Sequence, residues 1–467
     1  MKKILGASIG LLLLLSACSS SPDDGQQAVD VNLSATETLL IPSIDTKTVT
    51  TDVKIVPVSS VSYLLVSKVG ANAYSLKIEG TELKDVYHFT YTLDEKDPDL
   101  FSFSVVAYLK DGRQTRPLFL RIDNRKGIFV NKVTRIARLT GNAMGGERFP
   151  SPNQTAQKWN VGGTDLGIIW ELTPGRYGLF FGDTFGSDFA PNHQKPGPNG
   201  GSWRSNVLAF SEDGQLDDGI TFSEMAVDTK GRAREIVFGG KDNSGNGNWT
   251  SIPTGAIRAN NVDYVHYMNI RNWTGWQTNY SSLYKSADNG KTWSRCGNVN
   301  FAATSKFGQV GYFKKDGYVY MIGTPPGRNG SACLARIAEA DMESQSNYEY
   351  WNGNDKQWVK GQEDKATVII SGTVGELSFI YNESFKKWII AYFNSDKYNI
   401  TMRSSDNITG PWSAPVELAA GTQYAQLYGS FFHPLSVRGR NLYFTMSMWL
   451  PYNVFLMKVE LGGMGAR

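Results

Sequence analysis

The chain has 467 residues, with 19% charged and 12% aromatic residues and a formal net charge of +3. So small a charge provides no strong field for nucleic acid or an anionic membrane surface, and the sequence therefore excludes both as charge-driven partners. The length exceeds that of one ordinary domain, and the 48 glycines are typical of turn-rich β structure.

The first residues have the pattern of a secretory signal. Lys2 and Lys3 precede an apolar stretch that ends at Leu15, and small residues lead to Cys18. The sequence predicts a signal peptide over residues 1–17. The end of this segment resembles a bacterial lipobox, which implies cleavage before Cys18 and lipid attachment to its thiol. The alternative is an ordinary secretory signal with an incidental cysteine.

Residues 18–27 are small, polar and acidic, which predicts a tether. The acidic pair Asp23 and Asp24 resembles the surface-export signal of Bacteroidetes lipoproteins. These features together predict a membrane-anchored lipoprotein of the outer membrane, displayed at the cell surface.

Residues 28–130 contain short alternating runs rich in β-branched residues and lack tryptophan, although the whole chain has 12. This texture predicts a β-sandwich of Ig-like size that acts as a spacer.

One hairpin pattern recurs five times after residue 162: an apolar run, a turn and an aromatic-rich run. Repeated hairpins of this kind indicate a propeller, solenoid or array. The sequence predicts an all-β protein with a five-bladed β-propeller over residues 135–467. The five hairpins begin at Gly162, Ile252, Gly308, Gly375 and Tyr428.

The segment Ser286–Trp293 resembles the Asp-box turn of sialidase-type propellers. Asp288 closes such a turn through its own backbone, and the tryptophan packs inward. We therefore interpret this segment as structural.

The two remaining cysteines, Cys296 and Cys333, lie in neighbouring predicted blades and could form a disulfide or be small buried apolar residues. We favour free thiols. The four histidines are scattered, and no spacing resembles a metal site, so the sequence predicts neither a metal nor a cofactor.

In a propeller the inner strands surround a central channel, so the residues at their starts converge on one face. Two of these positions carry carboxylates, and a third carboxylate, Asp183, closes the first hairpin. The converging positions are Asp165, Thr254, Gln309, Glu376 and Ser430.

With a turn over residues 173–176, counting back places Asp165 opposite Thr184 and Asp183 opposite Leu166. Strict pleating points the two aspartates to opposite faces, whereas a one-residue change in the turn or a bulge at the flanking glycines would align them, so the register stays open. Two neighbouring carboxylates are what glycosidic cleavage requires, one protonated and the other ionised. The alternative is that both aspartates bond to local backbone N–H groups in turns.

Four further residues are candidates for binding sugar. Arg204 and Asn206 could hold hydroxyl groups or fix the charge of a carboxylate, or could belong to a surface strand. Trp276 could provide a platform for a sugar face or belong to the core. His433 lies near the fifth hairpin and could be a site residue or a satisfied core histidine; its position favours the site.

These residues carry a resemblance to a family. The order and spacing of Gly163–Asp165, Gly182–Thr184, Arg204–Asn206, Gly375–Ser378 and the segment from Tyr428 to His433 resemble the domain-of-unknown-function 4185 family over about residues 133–461. Members of this family were assigned as endo-D-arabinanases of glycoside hydrolase family 183. The resemblance implies hydrolysis of internal α-D-arabinofuranosyl linkages in mycobacterial arabinogalactan and lipoarabinomannan. It implies that Asp165 and Asp183 are the key acids and that Glu376 supports them, by orienting an arginine or by tuning a neighbour's pKa.

Two other function classes stay open. A non-catalytic glycan-binding lipoprotein would use the same aromatic residues without a productive carboxylate pair. A propeller glycosidase of other specificity, an L-arabinanase or a sialidase, is the second. A sialidase needs an arginine cluster and a tyrosine nucleophile, and no convincing arginine triad is found.

Overall fold

The computed structural model describes residues 30–42, 47–70, 74–190, 197–198 and 200–463. The predicted signal peptide, the tether and Cys18 lie outside the described residues. Strands dominate, and the all-β prediction is confirmed. No helix in the described ranges is long and apolar enough to span a membrane.

The chain forms two compact units. The first comprises the described residues of Met1–Thr38, Thr50–Phe89 and Ser102–Leu120, and the second those of Leu39–Val49, Thr90–Phe101 and Arg121–Arg467.

The N-terminal region forms two sheets, of three strands (β1-β3-β6) and five strands (β2-β8-β7-β4-β5). Buried and exposed residues alternate along β3, as expected when one face of a sheet is covered. The rings of Phe89 and Phe103 meet edge to face between the two sheets, 5.2 Å apart. The Ig-like assignment stays a prediction. The strands are β1 (Asn32–Ala35), β2 (Leu39–Leu40), β3 (Thr48–Val56), β4 (Val61–Lys68), β5 (Ser75–Glu79), β6 (Val86–Thr92), β7 (Leu100–Leu109) and β8 (Leu118–Asp123).

The second unit contains five further sheets, numbered here one to five along the chain. All five predicted hairpins are present, each as the first two strands of a sheet. The strands are β9 (Phe129–Arg138); β10 (Leu166–Thr173), β11 (Arg176–Phe181), β12 (Val207–Ser211) and β13 (Glu224–Met225) in sheet one; β14 (Thr250–Ala259), β15 (Val262–Asn272), β16 (Gln277–Ser286) and β17 (Ser294–Ala302) in sheet two; β18 (Gln309–Lys315), β19 (Tyr318–Thr324), β20 (Gly330–Ala338), β21 (Glu349–Asn352), β22 (Gln357–Lys360) and β23 (Val368–Val374) in sheet three; β24 (Leu377–Asn382), β25 (Lys387–Asn394), β26 (Asn399–Ser405) and β27 (Val416–Ala420) in sheet four; and β28 (Leu427–Phe432), β29 (Asn441–Met448) and β30 (Asn453–Gly462) in sheet five.

The first strand of each sheet packs beside the first strand of the next, and β28 packs beside β10, so the five sheets form a closed ring. Strand β9, which precedes sheet one in the chain, pairs with β30 and supplies the fourth strand of sheet five. This pairing ties the two ends of the ring together and covers an edge that would otherwise be unpaired. One α-helix, α1 (Thr155–Trp159), lies between β9 and β10.

The Asp-box segment has the structural role predicted for it. Asp288 accepts hydrogen bonds from the backbone N–H groups of Lys291 and Thr292 at 3.1 and 2.9 Å. The ring of Trp293 packs against Trp170 and Phe180 in the core of the ring. Cys296 and Cys333 are buried and free, as favoured from the sequence.

Candidate active site

The first hairpin brings Asp165 and Asp183 to one cavity, and its ladder has three irregularities, the first of them between Glu171 and Thr173 beside the turn. Leu166 pairs with Phe181 and Ile168 with Phe180, so Gly167 is a bulge, with a φ of 84°. Beyond it, Gly163 bridges Phe185, which leaves one extra residue on the returning chain. The register predicted from the sequence is therefore wrong, because Leu166 faces Phe181 and not Asp183. The sequence left open whether a bulge or a change in the turn would align the two aspartates; in the structure both carboxyl groups line one cavity.

Asp165 lies in an apolar and anionic setting. Its Oδ2 accepts a 3.0 Å hydrogen bond from the hydroxyl of Tyr428. Oδ1 is buried without a hydrogen-bond partner. Burial, followed by the nearby charge of Asp183, raises the pKa of Asp165 to about 8. Asp165 is thus protonated at neutral pH.

Asp183 is 6% exposed but has better hydrogen-bond donors. Its Oδ1 accepts from Nε1 of Trp203 and from Oγ1 of Thr250, each at 2.7 Å. Burial raises the pKa of Asp183 to about 6, while the two donors and the charge of Lys241 oppose that rise. The two carboxyl groups are therefore biased toward different protonation states near neutral pH.

A third carboxylate, Glu376, holds an arginine. Nε and Nη2 of Arg328 donate hydrogen bonds to Oε1 of Glu376 at 3.0 and 2.6 Å. The guanidinium also lies 4.9 Å from the ring centre of Trp276 and 4.8 Å from that of Tyr428. Glu376 thus orients an arginine, one of the two roles that the resemblance left open.

These groups surround a cavity of about 340 Å³ lined by strands of sheets one, two, three and five and by Glu376, the residue before the first strand of sheet four. The predicted residues Thr254, Gln309 and Trp276 line it. The complete lining comprises Asp165, Leu166, Asp183, Pro198, Ile252, Pro253, Thr254, Met268, Trp273, Trp276, Gln309, Arg328, Glu376, Tyr428, Phe431, Trp449 and Tyr452. We call this space the acid cavity.

Arg204 and Asn206 lie outside the acid cavity and serve the fold. Nη1 and Nη2 of Arg204 donate hydrogen bonds to the backbone carbonyls of Ala233 and Asn160, each at 2.7 Å. The buried side-chain amide of Asn206 donates to the carbonyls of Val237 and Ser251. Both side chains cross-link backbone segments, so neither is available to a sugar.

His433 is a core histidine, contrary to the prediction that favoured the site. Its Nδ1 accepts from the backbone N–H of Leu435 and caps a short 3-10 helix, Pro434–Val437. The ring packs on Tyr177, with 4.5 Å between ring centres, and burial lowers its pKa to about 3. It does not line the acid cavity.

The sequence did not predict several residues that line the acid cavity or bond to its carboxyl groups: Arg328, Tyr428, Tyr452, Trp203 and Thr250. Arg328 and Glu376 are 48 positions apart, and Tyr428 and Asp165 are 263 apart. The turn residues Pro325–Pro326 just before Arg328 gave no chemical signal. The first pair meets where sheets three and four are neighbours, and the second meets where the ring closes between sheets five and one.

A larger cavity of about 650 Å³ lies along the inner strands. Neither Asp165 nor Asp183 lines it, so we place the chemistry in the acid cavity. Within the described part of the chain, no group of three or more His, Cys, Asp or Glu side chains could hold a metal ion.

The model of the family named Domain of unknown function (DUF4185) matches residues 150–458, and the chain belongs to this family. Notoamide biosynthesis cluster protein J of Aspergillus sp. (strain MF297-2) is 30% identical over 317 residues, covering 63% of this chain and 82% of that protein. Notoamide biosynthesis cluster protein J' of Aspergillus versicolor is 30% identical over 328 residues, covering 66% and 87%.

Two solved structures are distantly similar. A candidate hydrolase of Bacteroides ovatus ATCC 8483 is 14% identical, with a TM-score of 0.48, and covers 65% of this chain and 87% of its own. Zg3597, a family 117 glycoside hydrolase of Zobellia galactanivorans, is 12% identical, with a TM-score of 0.40, and covers 73% and 91%. These likenesses are too distant to bear on function.

Proposed function

We propose that this member of the DUF4185 family is a glycoside hydrolase, built on a five-bladed β-propeller, that cleaves internal α-D-arabinofuranosyl linkages. The observation that carries the proposal is the pairing of Asp165 and Asp183 in one cavity in unequal settings: Oδ1 of Asp165 has no hydrogen-bond partner, whereas Oδ1 of Asp183 accepts two hydrogen bonds. Glycosidic cleavage needs such a pair, because one carboxyl group must give a proton while the other is ionised.

Asp165 is the general acid in this mechanism. Its buried setting and the carboxylates around it favour the protonated form, which gives its proton to the departing glycosidic oxygen. The Tyr428 hydroxyl fixes the position of the carboxyl group through Oδ2. As the bond to the leaving oxygen breaks, Asp165 becomes a carboxylate and retains the hydrogen bond from Tyr428.

Asp183 is the ionised partner. The indole of Trp203 and the hydroxyl of Thr250 stabilise its negative charge. In this state Asp183 attacks the anomeric carbon or removes a proton from an attacking water. Both routes require the same charge, so the role of Asp183 is defined without choosing between them.

The lining of the acid cavity supports a neutral sugar chain as substrate. Arg328 is the one cationic residue of the lining, and its Nε and Nη2 already donate hydrogen bonds to Glu376. An anionic sugar would therefore meet carboxylates without a free cation, which disfavours a sialidase. Trp273 and Trp276, in the loop between β15 and β16, and Trp449, directly after β29, line the acid cavity together with the acid pair. Aromatic faces from two separate loops suit a chain of several sugar units.

The choice of D-arabinan rests on the family resemblance. Its test is to incubate the full protein with mycobacterial arabinogalactan and with plant L-arabinan in parallel and to follow oligosaccharide release. We expect release from arabinogalactan alone. Release only from L-arabinan would refute the substrate, and binding without release from either would favour the glycan-binding alternative.

We further propose that the protein is a membrane-anchored lipoprotein of the outer membrane and cell surface. The lipobox-like end of the signal segment at Cys18 supports this proposal. A surface location would give the acid cavity access to a polymer too large to enter the cell.

A further inference from the structure

Lys241 does not line the acid cavity, but it contacts a residue that hydrogen-bonds to Asp183. Its ammonium nitrogen is 3.5 Å from the ring centre of Trp203, the residue whose Nε1 donates to Asp183. Its φ is 55°, a left-handed conformation that is unfavourable for lysine. Backbone strain of this kind persists only where the surroundings impose it.

The surroundings of Lys241 fix the ammonium in place. Nζ donates to Oγ of Ser205 at 2.8 Å and lies 3.0 Å from Oε1 of Glu235. The same Glu235 oxygen accepts from the backbone N–H of Ser205 at 2.7 Å. A Cβ on Gly239 would overlap Oγ of Ser205, so glycine at that position lets the Lys241 segment approach.

This arrangement acts on Asp183 in two ways. A cation on the face of an indole draws electron density from the ring, which makes its N–H a better donor. The ammonium charge also stabilises the carboxylate directly. Both effects favour the charged form of Asp183.

We propose that Lys241 is a positioning residue that keeps Asp183 ionised through the indole of Trp203. This inference rests on the proposed function for its catalytic meaning, but the electrostatic relationship can be measured without a substrate. The other titratable groups facing Asp183 are Asp165, Glu235 and Tyr452, and Arg204 faces Lys241.

The test follows the indole N–H resonance of Trp203 by NMR as the pH is changed, in protein carrying ¹⁵N-labelled tryptophan. The resonance is assigned by its absence in Trp203→Phe. In the wild type it should titrate with Asp183. In Lys241→Met, which retains the length of the side chain over the ring, the midpoint should rise by roughly half to one pH unit. Lys241→Arg should restore the wild-type midpoint.

Glu235→Gln removes the carboxylate that opposes ionisation of Asp183 and should lower the midpoint. Lys285→Met, which removes a lysine from the distant ion pair with Glu343, should leave it unchanged. If Lys241 had only a structural role, Lys241→Met would not raise the midpoint while Glu235→Gln lowers it. An unchanged midpoint in folded Lys241→Met would overturn the inference.

Activity provides the second measurement. If Asp183 is the ionised partner, the acid limb of kcat/KM in Lys241→Met should move to higher pH by the same amount as the NMR midpoint. A moved midpoint with no hydrolysis of any glycan would uphold the role of Lys241 and refute the proposed function. Hydrolysis of the glycan with an unchanged midpoint would uphold the proposed function and refute the role of Lys241.

Discussion

Gly182 stands directly against the carboxyl group of Asp165, and a Cβ at this glycine would overlap Oδ1 of the aspartate. The backbone N–H of Gly182 also donates to the Asp165 carbonyl at 3.2 Å. The glycine therefore makes the room that the proposed acid occupies, in the same hairpin that carries Asp183.

Gly182→Ala should displace the Asp165 carboxyl group and lower kcat by roughly tenfold to a hundredfold, since errors of about 1 Å in a catalytic group have costs of this size. Steady-state kinetics on the released oligosaccharides measures the effect. Gly214→Ala is the matched control, because its Cβ would meet nothing within 4 Å. Equal activity in the two variants would contradict the steric role of Gly182.

Asp165→Asn and Asp183→Asn should each lower turnover by roughly two to three orders of magnitude or more, the loss expected for a general acid, base or nucleophile. Asparagine retains the shape of the side chain, so both variants should fold. Asp288→Asn provides the contrast, because it weakens the Asp-box turn and should lower the Tm while activity per folded molecule is retained. Near-wild-type turnover in either folded site variant would remove that residue from the mechanism.

Two substitutions should move the basic limb of kcat/KM in opposite directions. The charge of Glu376 raises the pKa of Asp165, and the hydrogen bond from Tyr428 lowers it. Activity requires protonated Asp165, so Glu376→Gln should shift the basic limb to lower pH and Tyr428→Phe should shift it to higher pH. Glu376→Gln should also reduce turnover less than Asp165→Asn does. Shifts of the same sign, read from full pH–rate profiles, would argue against these roles.

Asp165 should make stability depend on pH. Its pKa is about 8 in the folded chain against an ordinary value of 3.8, so the unfolded chain ionises first as the pH rises. The resulting stabilisation is fully present below about pH 4 and is lost as the pH approaches 8. Asp165→Asn removes this dependence, so its Tm should gain on the wild type between pH 4 and pH 8 in thermal unfolding. A Tm difference that stays constant over this range would show that the carboxyl group has no raised pKa.

Cys18→Ser should abolish lipid attachment, because only the thiol can accept the lipid. The variant should leave the detergent phase in phase partitioning, whereas the wild type should enter it. Partitioning like that of the wild type would refute the lipobox interpretation. An activity assay on the soluble variant checks that the catalytic part is intact.

The hairpins were predictable from the sequence because each depends on local features: a short apolar run, a turn and an aromatic run. Trp293 was correctly assigned to the core, since the Asp-box turn fixes where its ring points. Asp165 and Glu376 were also predictable as site residues, because the inner strands of a ring begin on one face. The packing role of the glycines in the first hairpin was not predicted: Gly163 and Gly182 make room for Phe189 and Asp165.

The sequence determined that strands pair in local hairpins and that carboxylates stand at their ends. The closed ring decided the rest. It placed Tyr428 beside Asp165 and Arg328 beside Glu376, while Arg204 and His433 went to structural positions. The physical reason is range: hairpin formation is decided over a few neighbouring residues, whereas protonation and orientation depend on which distant side chains meet in a buried cavity, where charges are weakly screened.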